Sequence, residues 1–428
     1  MEPHLPPGLS FDTATGVITG TPTFVTSAYK TVSARNSAGA TTVGLTITIA
    51  PGSELYDPVM GTFAPAGNLT TARIGHSATR LLSGEVLIAG GRDWTPNGRD
   101  PASAELFKPT TGTFTPTGNL ATARSGHTAT LLLNGKVLIF GGNSSISTAI
   151  GPAELYDPAT GTFTPTGNLK TWRSGHTATL LLSGKVLIAG CFRSSAELYD
   201  PATGTFTPTG DLTTGRCGHS ATLLLSGKVL IAGGAEWRSG SPAGLASAEL
   251  YDPDTGTFTP TGSLTTARYQ GRSATLLPSG KVLIAGGEDL DTYFPTTATE
   301  LYDPTTGMFT PTMGDLATDR VNHTATLLPT GKVLIAGGYT GGMWGTTPCR
   351  GMTELYDPAT ERSTFTGSLL AGRMVHTATL LPSGKVLIAG GAPWFLGGGA
   401  GHFPPQPPPL PPPAPPTPWA EPATDPDR

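Results

Sequence analysis

Histidine is the residue with metal-binding and acid–base chemistry that recurs most regularly in this sequence of 428 residues. Six of its eight histidines occupy the same place in a repeated segment, and a seventh copy has Arg272 there after a one-residue insertion. The six are His76, His127, His176, His219, His323 and His376. Zinc or copper needs its ligands about 2 Å from one point, whereas residues found once per repeat are distributed around a ring. We therefore expect each histidine to be a hydrogen-bonded structural residue within its own repeat, and we expect no metal or other cofactor.

Arginine and glutamate form a second regular series. The arginines are Arg73, Arg124, Arg173, Arg216, Arg268, Arg320 and Arg373, and the glutamates are Glu54, Glu105, Glu154, Glu197, Glu249, Glu300 and Glu354. A Gly-Gly pair, or Gly190-Cys191 in one copy, lies between the two residues in the repeat. Because the planar guanidinium fork can hold a carboxylate with two hydrogen bonds, we expect an Arg–Glu bridge across the glycines of every repeat, with a structural role.

The glutamates mark the repeat itself. Seven copies of a phrase resembling Glu-Leu-Tyr-Asp-Pro start 51, 49, 43, 52, 51 and 54 residues apart. A period near fifty with short strand signals is typical of propeller blades. In one copy we predict an inner strand over His176–Leu182, a second over Lys185–Gly190, a third over Glu197–Tyr199 and an outer one over Thr205–Thr209. The last contains Pro208, and proline cannot donate a ladder hydrogen bond, so this strand belongs at the sheet edge.

The ends of the repeat array predict how the ring closes. The array begins at Glu54 with third and outer strands, and it ends at Gly391 after inner and second strands. Residues 54–66 and 376–391 would therefore be two half blades that complete a seventh sheet. We expect an all-β, seven-bladed propeller over residues 54–391.

The repeats are similar to kelch repeats. The resemblance is carried by Arg-Ser-Gly-His, by the Gly-Gly after an apolar strand and by Glu-Leu-Tyr-Asp-Pro, and it covers roughly residues 54–391. It implies the galactose oxidase central-domain superfamily, with bacterial members. A copper-radical oxidase of that superfamily needs a Tyr cross-linked to Cys, a second Tyr and two His, with one ligand from a domain after the propeller. Here a proline-rich segment follows, and we carry over no catalytic residue.

The segments whose sequence and length differ between the repeats are loops, and we expect them at one face of the propeller. The loops after Gly-Gly and the segments before the inner strands supply the candidate binding residues Trp94, Trp172, Trp237, Tyr293, Phe294, Trp344, Arg92, Arg238 and Asp289. Exposed aromatic rings beside charged groups can stack on sugars or anchor a protein partner. The alternative is that several of them pack against blade edges. Loop acids such as Asp93, Asp100, Glu236, Glu288 and Asp291 would serve a hydrolase only at a defined separation, which spacing in the sequence does not fix.

The three cysteines match no zinc spacing. Cys191 replaces the second Gly of one repeat, and Cys217 replaces the Ser of the next Arg-Ser-Gly-His, so both should lie on the same face of adjacent blades. A disulfide between them is one hypothesis. We favour two free thiols.

The two ends of the chain differ from the repeats. Residues 1–50 resemble the later part of an immunoglobulin-like module, with strands predicted over Lys30–Asn36 and Thr42–Ile49. Because the first strands of that module are absent, we expect the true reading frame or the natural precursor to begin upstream, which would also account for the missing export signal. Residues 392–428 are rich in Gly and Pro, and we expect a disordered tail.

Composition limits the function further. The net charge is −4, 13% of the residues are charged and no Lys/Arg cluster occurs, so we expect no nucleic-acid partner. The apolar runs are too short to cross a bilayer. We expect a non-enzymatic, monomeric, extracellular or surface-associated binding propeller that recognises a protein or a glycan. The alternatives are a copper-radical oxidase and a purely structural or adhesive module of a larger surface protein.

Overall fold

The computed structural model describes residues 9–12, 18–20, 26–36, 39–49, 52–93, 100–144, 152–191, 194–238, 241–269, 273–290, 292, 294–340 and 351–393. All regular structure in these ranges is β-strand, as the sequence predicts. No helix in this part of the chain has the length and hydropathy needed to cross a membrane. The predicted tail lies outside the described residues, apart from its first two positions.

The N-terminal segment forms two antiparallel strand pairs. Leu9–Phe11 pairs with Ile18–Gly20, and Thr26–Asn36 pairs with Gly39–Ile49. The two long strands contain both of the strands predicted from alternating sequence.

Seven four-stranded antiparallel sheets follow, and we number these blades by their inner strands. Blade 1 consists of Ser77–Arg80, Val86–Ala89, Ala104–Lys108 and Thr113–Pro116. Blade 2 consists of Thr128–Leu131, Val137–Phe140, Glu154–Asp157 and Thr162–Pro165. Blade 3 consists of Thr177–Leu180, Val186–Ala189, Ala196–Asp200 and Thr205–Pro208. Blade 4 consists of Ser220–Leu223, Val229–Ala232, Ala248–Asp252 and Thr257–Thr261.

The remaining blades repeat this pattern. Blade 5 consists of Ser273–Leu276, Val282–Ala285, Thr299–Asp303 and Met308–Pro311. Blade 6 consists of Thr324–Leu327, Val333–Ala336, Thr353–Asp357 and Arg362–Phe365. Blade 7 consists of Thr377–Leu380 and Val386–Ala389, joined by Glu54–Asp57 and Thr62–Pro65 from the start of the array. Shorter pairs are Arg73–Ile74 with Arg92–Asp93, Ala235–Arg238 with Ser241–Gly244, and Glu288–Asp289 with Phe294–Pro295.

The strand order agrees with the prediction from one repeat. In blade 3, Thr177 pairs with Ala189, Ile188 pairs with Glu197, and Glu197 pairs with Pro208. The proline-bearing strand is therefore at the outer edge, where its missing N–H costs no ladder bond. Neighbouring inner strands contact each other from blade 1 to blade 7 and back to blade 1, which closes the ring.

The core lies between blades. Every second strand is a four-residue apolar segment buried along its whole length, because its two faces touch different neighbours. Between blades 3 and 4, for example, Leu187 and Ala189 pack with Val229, Ile231 and Tyr251. Burying one such aliphatic side chain stabilises the fold by roughly 1.5–3 kcal/mol, so the stability of a blade depends on having both neighbours.

In five of the seven blades, a tyrosine on the third strand hydrogen-bonds a threonine at or just after the end of the outer strand of the preceding blade. The Tyr199 hydroxyl hydrogen-bonds Thr166 at 3.0 Å, and four further blades repeat the pair. Blade 1 has Phe107 at this place, opposite Ala66 of blade 7, so both polar partners are replaced together. Blade 6 breaks the pattern. Its Tyr356 hydroxyl is buried without a hydrogen-bond partner among the described residues, since the Thr312 hydroxyl bonds to Thr299.

Candidate functional site

The buried Arg–Glu pair of each blade links the segment that precedes the inner strand to the third strand. In blade 3, Arg173 Nη1 donates to the carbonyls of Gly190 at 2.9 Å and Ser195 at 2.7 Å. Its Nη2 donates to Glu197 Oε1 at 3.0 Å. The second carboxylate oxygen, Oε2, accepts from the backbone N–H of Lys170 at 2.9 Å. One side-chain pair thus satisfies backbone groups of three separate segments.

The same ion pair occurs in all seven blades. The Nη2–Oε1 distances are 2.8 Å for Arg73–Glu105, 3.1 Å for Arg124–Glu154, 2.6 Å for Arg216–Glu249, 2.5 Å for Arg268–Glu300 and 2.7 Å for Arg320–Glu354, and Arg373 pairs with Glu54. The bridge is therefore present in every blade, as expected. The guanidinium contacts only one carboxylate oxygen, with two bonds in blade 6 and one in the other blades, because a backbone N–H takes the other oxygen.

Burial makes these pairs inaccessible to a ligand. The arginine side chains are at most 1% exposed. Desolvation lowers the pKa of the Arg73 guanidinium, and the charge of Glu105 opposes that shift. A buried ion that is paired with an opposite charge in this way belongs to the scaffold.

The histidines connect neighbouring blades, so the expectation that each is satisfied within its own repeat is wrong. His176 Nε2 of blade 3 hydrogen-bonds Thr128 Oγ1 of blade 2 at 3.1 Å, and five other histidines make the same bond. The partner is always the first residue of the preceding inner strand. Burial is the main cause that lowers the pKa of His176 to about 3, with Arg173 contributing. The ring is therefore neutral at pH 7.

The absence of side chains at the Gly-Gly pair makes room for the histidine of the next blade and for the backbone nearby. A Cβ on Gly141 would lie 2.3 Å from Cε1 of His176, the histidine of the next blade. A Cβ on Gly142 would lie 2.5 Å from the carbonyl oxygen of Ser125. Both glycines have positive φ. Close approach of the next blade explains Gly141, and close approach of Ser125 and His127 of the same blade explains Gly142, more than access for the Arg–Glu pair does.

Cys191 and Cys217 form a disulfide between blades 3 and 4, so the favoured expectation of two free thiols is wrong. The pair forms because the two replaced positions face each other across the blade interface, with a Cα–Cα distance of 4.2 Å. Cys191 also keeps the positive φ of the glycine it replaces. With both sulfurs joined to each other, neither is available for the Tyr–Cys cross-link of a copper-radical oxidase, and Cys349 lies outside the described residues.

Several predicted binding residues lie at the face where inner strands begin and second strands end, which we call the loop face. Trp172 is 40% exposed and Phe294 is 49% exposed. Trp237, Arg92 and Asp289 are half-buried, and Asp289 accepts a hydrogen bond from Thr292. The predicted residues Trp94, Tyr293 and Trp344 and the side chain of Arg238 lie outside the described residues.

Other loop residues turn inward. Tyr269 is buried, which agrees with the alternative that some aromatic rings pack down. Glu288 follows Gly-Gly in blade 5, and burial raises the pKa of its carboxyl. Within the described ranges, no group of three or more His, Cys, Asp or Glu side chains is arranged to hold a metal ion.

A cleft of about 260 Å³ opens on the loop face between blades 3 and 4. Ser194 of blade 3, the segment Thr213–Cys217 and the hairpin residues Ala235–Trp237 line it. It therefore combines an indole ring, a carboxylate at Glu236 and threonine hydroxyls. The negative charge of Glu236 also acts on Arg216 below it.

Unequal loops create this cleft. Five residues separate Cys191 from Glu197 in blade 3, whereas fourteen separate Gly234 from Glu249 in blade 4. The longer loop forms a hairpin that stands beside the short one. The disulfide ties the start of the short loop to the cleft residue Cys217, which pre-organises one wall. Sequence comparison of the repeats identified Trp237, but it missed Ser194, Thr213 and Thr214, because they look like ordinary repeat residues.

The fold and this cleft define the class: an all-β protein with a seven-bladed propeller. Residues 1–50 match the family described as Putative Ig domain, which assigns an immunoglobulin-type module to the N-terminus. A search of curated proteins found no match to the chain.

Proposed function

We propose that this protein is a non-enzymatic binding module of kelch type that recognises a carbohydrate through the loop-face cleft between blades 3 and 4. The observation that carries the proposal is Trp237 at the wall of the cleft, next to Glu236 and the hydroxyls of Thr213 and Thr214.

The cleft chemistry suits a sugar. An indole face stacks on the C–H face of a pyranose ring, while a carboxylate and hydroxyls accept and donate hydrogen bonds to sugar hydroxyls. The volume of about 260 Å³ is close to the lower end of small-ligand sites, which fits one or two sugar rings. A wall pinned by a disulfide loses little conformational entropy when a ligand binds.

A protein partner is the second candidate. Trp172 and Phe294 project from blades 3 and 5 of the same face, outside the cleft lining. Exposed aromatic residues distributed over several blades suit the anchors of a protein interface.

An extracellular or cell-surface location belongs to the same proposal. The Cys191–Cys217 disulfide supports it, because disulfides persist in oxidising compartments and are rare in the cytosol. The immunoglobulin-type module at residues 1–50 is compatible with a surface protein.

A glycan array probed with the full chain tests the proposal. We expect wild-type protein to bind a defined set of glycans and the Trp237→Ala variant to lose that signal. Phe365→Ala is the matched control, because Phe365 is an exposed aromatic residue on the outer strand of blade 6 and does not line the cleft between blades 3 and 4. It should bind as wild type does. Binding that survives Trp237→Ala would refute the cleft as the site, and an absence of glycan binding would favour the protein-partner or the structural-module alternative.

A further inference from the structure

The propeller face opposite the loop face carries a ring of exposed apolar residues. At this hairpin face, where the inner strand turns into the second strand, blades 1 to 4 present one leucine each: Leu82, Leu133, Leu182 and Leu225. They are 70–75% exposed. Blades 5 to 7 have Pro278, Pro329 and Pro382 at the same place, and all three are exposed. We call these seven residues the crown.

The crown leucines lie on four adjacent blades. A Cβ placed on the hairpin glycine of the next blade would lie 3.2 Å from Leu82 at Gly135, 3.0 Å from Leu133 at Gly184 and 3.1 Å from Leu182 at Gly227. Each leucine thus lies over the hairpin glycine of the next blade. The four leucines therefore follow one another around the axis, one on each of four adjacent blades.

The fold does not need these leucines. The preceding residue of each hairpin, such as Leu132 or Leu181, is buried at 2–3% exposure and fills the core between blades. Proline replaces the exposed leucine in three blades that keep the same strands. Several large apolar side chains exposed on adjacent blades of one face mark an interaction site.

The charges of the hairpin face balance one another. The cations are Arg80, Lys108, Lys136, Lys185, Lys228, Lys281, Lys332, Arg362 and Lys385, and the anions are Asp57, Glu85, Asp157, Asp200, Asp252, Asp254, Asp303, Asp357 and Glu361. Nine positive and nine negative groups give a net charge of zero. Six of the lysines pair with an aspartate of their own blade at 3.0–3.3 Å, so both signs stand side by side around the crown. Such a rim has no net attraction for an anionic lipid surface or a polyion.

We propose that the crown is a self-association surface on which a second copy of this chain docks face to face. A two-fold axis perpendicular to the propeller axis reverses the order of the blades in the second copy. An arc of leucines on four consecutive blades is self-complementary under that operation. Leu82 then lies over Leu225 of the partner subunit, and Leu133 lies over Leu182 of the partner subunit. The neutral rim meets another neutral rim with both signs on every blade, which avoids net repulsion. The sequence alone led us to expect a monomer.

Sedimentation equilibrium of the full chain over a concentration series tests this proposal. We expect wild-type protein to approach twice the single-chain mass as its concentration rises. Leu133→Asp and Leu182→Asp should each raise the dissociation constant about a hundredfold, since a two-fold interface contains every substituted residue twice. Both side chains are exposed, so the variants should keep the wild-type melting temperature and circular dichroism spectrum.

Met313→Asp is the matched control. Met313 is 71% exposed, like the crown leucines, and it lies beyond the loop-face end of the outer strand in blade 5. This variant should associate as wild type does. A dimer that persists in Leu133→Asp, or a wild type that stays monomeric at its highest soluble concentration, would overturn the proposal. A monomeric wild type that binds neutral phosphatidylcholine vesicles through the crown would assign the surface to lipid instead.

Discussion

Arg373 and Glu54 are 319 positions apart in the chain and form the same buried ion pair that every other blade makes over 24 to 34 positions. Arg373 Nη2 donates to Glu54 Oε1, and Glu54 Oε2 accepts from the backbone N–H of Leu370. The repeat chemistry is therefore reproduced where the ring closes. The first and last parts of the array share one sheet, so neither end of the propeller leaves an uncovered blade.

Removing one partner of a buried Arg–Glu pair should lower the stability of the fold strongly. Replacing Arg173 by Ala leaves the Glu197 carboxylate buried without its counter-ion, and we expect the free energy of unfolding to fall by about 3–5 kcal/mol. Urea denaturation followed by circular dichroism measures this change.

Lys185→Ala is the internal comparison for that variant. The Lys185–Asp200 pair lies in the same blade, but its side chains are 44% and 26% exposed. Exposed pairs contribute about 0–1 kcal/mol, so this substitution should have little effect. Equal losses from the two variants would show that burial does not set the strength of the pair.

The disulfide should stabilise the junction of blades 3 and 4. It spans 26 positions, and closing a loop of that length destabilises the unfolded chain by about 3.5 kcal/mol in the chain-entropy model. The double variant Cys191→Gly/Cys217→Ser restores the residues of the other repeats and should lose that amount. Mass measurement after alkylation should show two further reactive thiols once the wild type is reduced. An unchanged count would mean that the cysteines do not pair.

Because the Tyr356 hydroxyl has no hydrogen-bond partner among the described residues, we expect its removal not to lower the stability of the protein. Tyr356→Phe removes a buried polar group without a described partner, so stability should stay constant or rise. Tyr199→Phe removes a hydroxyl bonded to Thr166, and the free energy of unfolding should fall by about 1 kcal/mol. Thermal melts of both variants make the comparison. A clear loss in Tyr356→Phe would indicate a partner for its hydroxyl.

Acid should destabilise the propeller through its histidines. Burial lowers the pKa of His76, His127, His176 and His323 from 6.5 to about 3. Between those two pH values the unfolded chain binds protons that the folded one does not. Stability from these groups is therefore complete above pH 6.5 and falls as the pH drops towards 3. Each histidine contributes about 1.4 kcal/mol per pH unit in that window.

His127→Gln provides the check on that pH dependence. Glutamine can still hydrogen-bond Ser77, the partner of His127 in blade 1, but it does not titrate. The decline in unfolding free energy from pH 7 to pH 5 should be shallower by one proton in this variant. The same decline in variant and wild type would show that His127 takes up no proton on unfolding.

The scaffold could be predicted from the sequence because the residue patterns that specify its strands and turns are local and occur in seven copies. Pro208 alone places its strand at a sheet edge, and Glu54 with Gly391 fixes the closure. The predictions that were wrong concern contacts between neighbouring blades. One repeat does not show that His176 bonds Thr128 of the preceding blade, nor that Cys191 faces Cys217 across the interface.

The candidate site could be predicted only in part for the same reason. Trp237 stands out because it lies in the loop after Gly-Gly, whose sequence differs from one repeat to the next. The cleft beside it depends on the lengths of two adjacent loops and on where the hairpin Ala235–Arg238 stands, which are three-dimensional relations. Thr213 and Thr214 line the cleft only because of where these loops lie, so their residue types alone could not identify them as cleft residues.

The most direct test of the account measures ligand binding and thermal stability on the same two variants. With a glycan identified on the array, Trp237→Ala should abolish binding in a calorimetric titration and leave the melting temperature within a few degrees of wild type. Arg173→Ala should bind the same glycan at low temperature but melt clearly earlier. Glycan binding that is unchanged in Trp237→Ala would contradict the division between a structural repeat and a recognition cleft on the loop face.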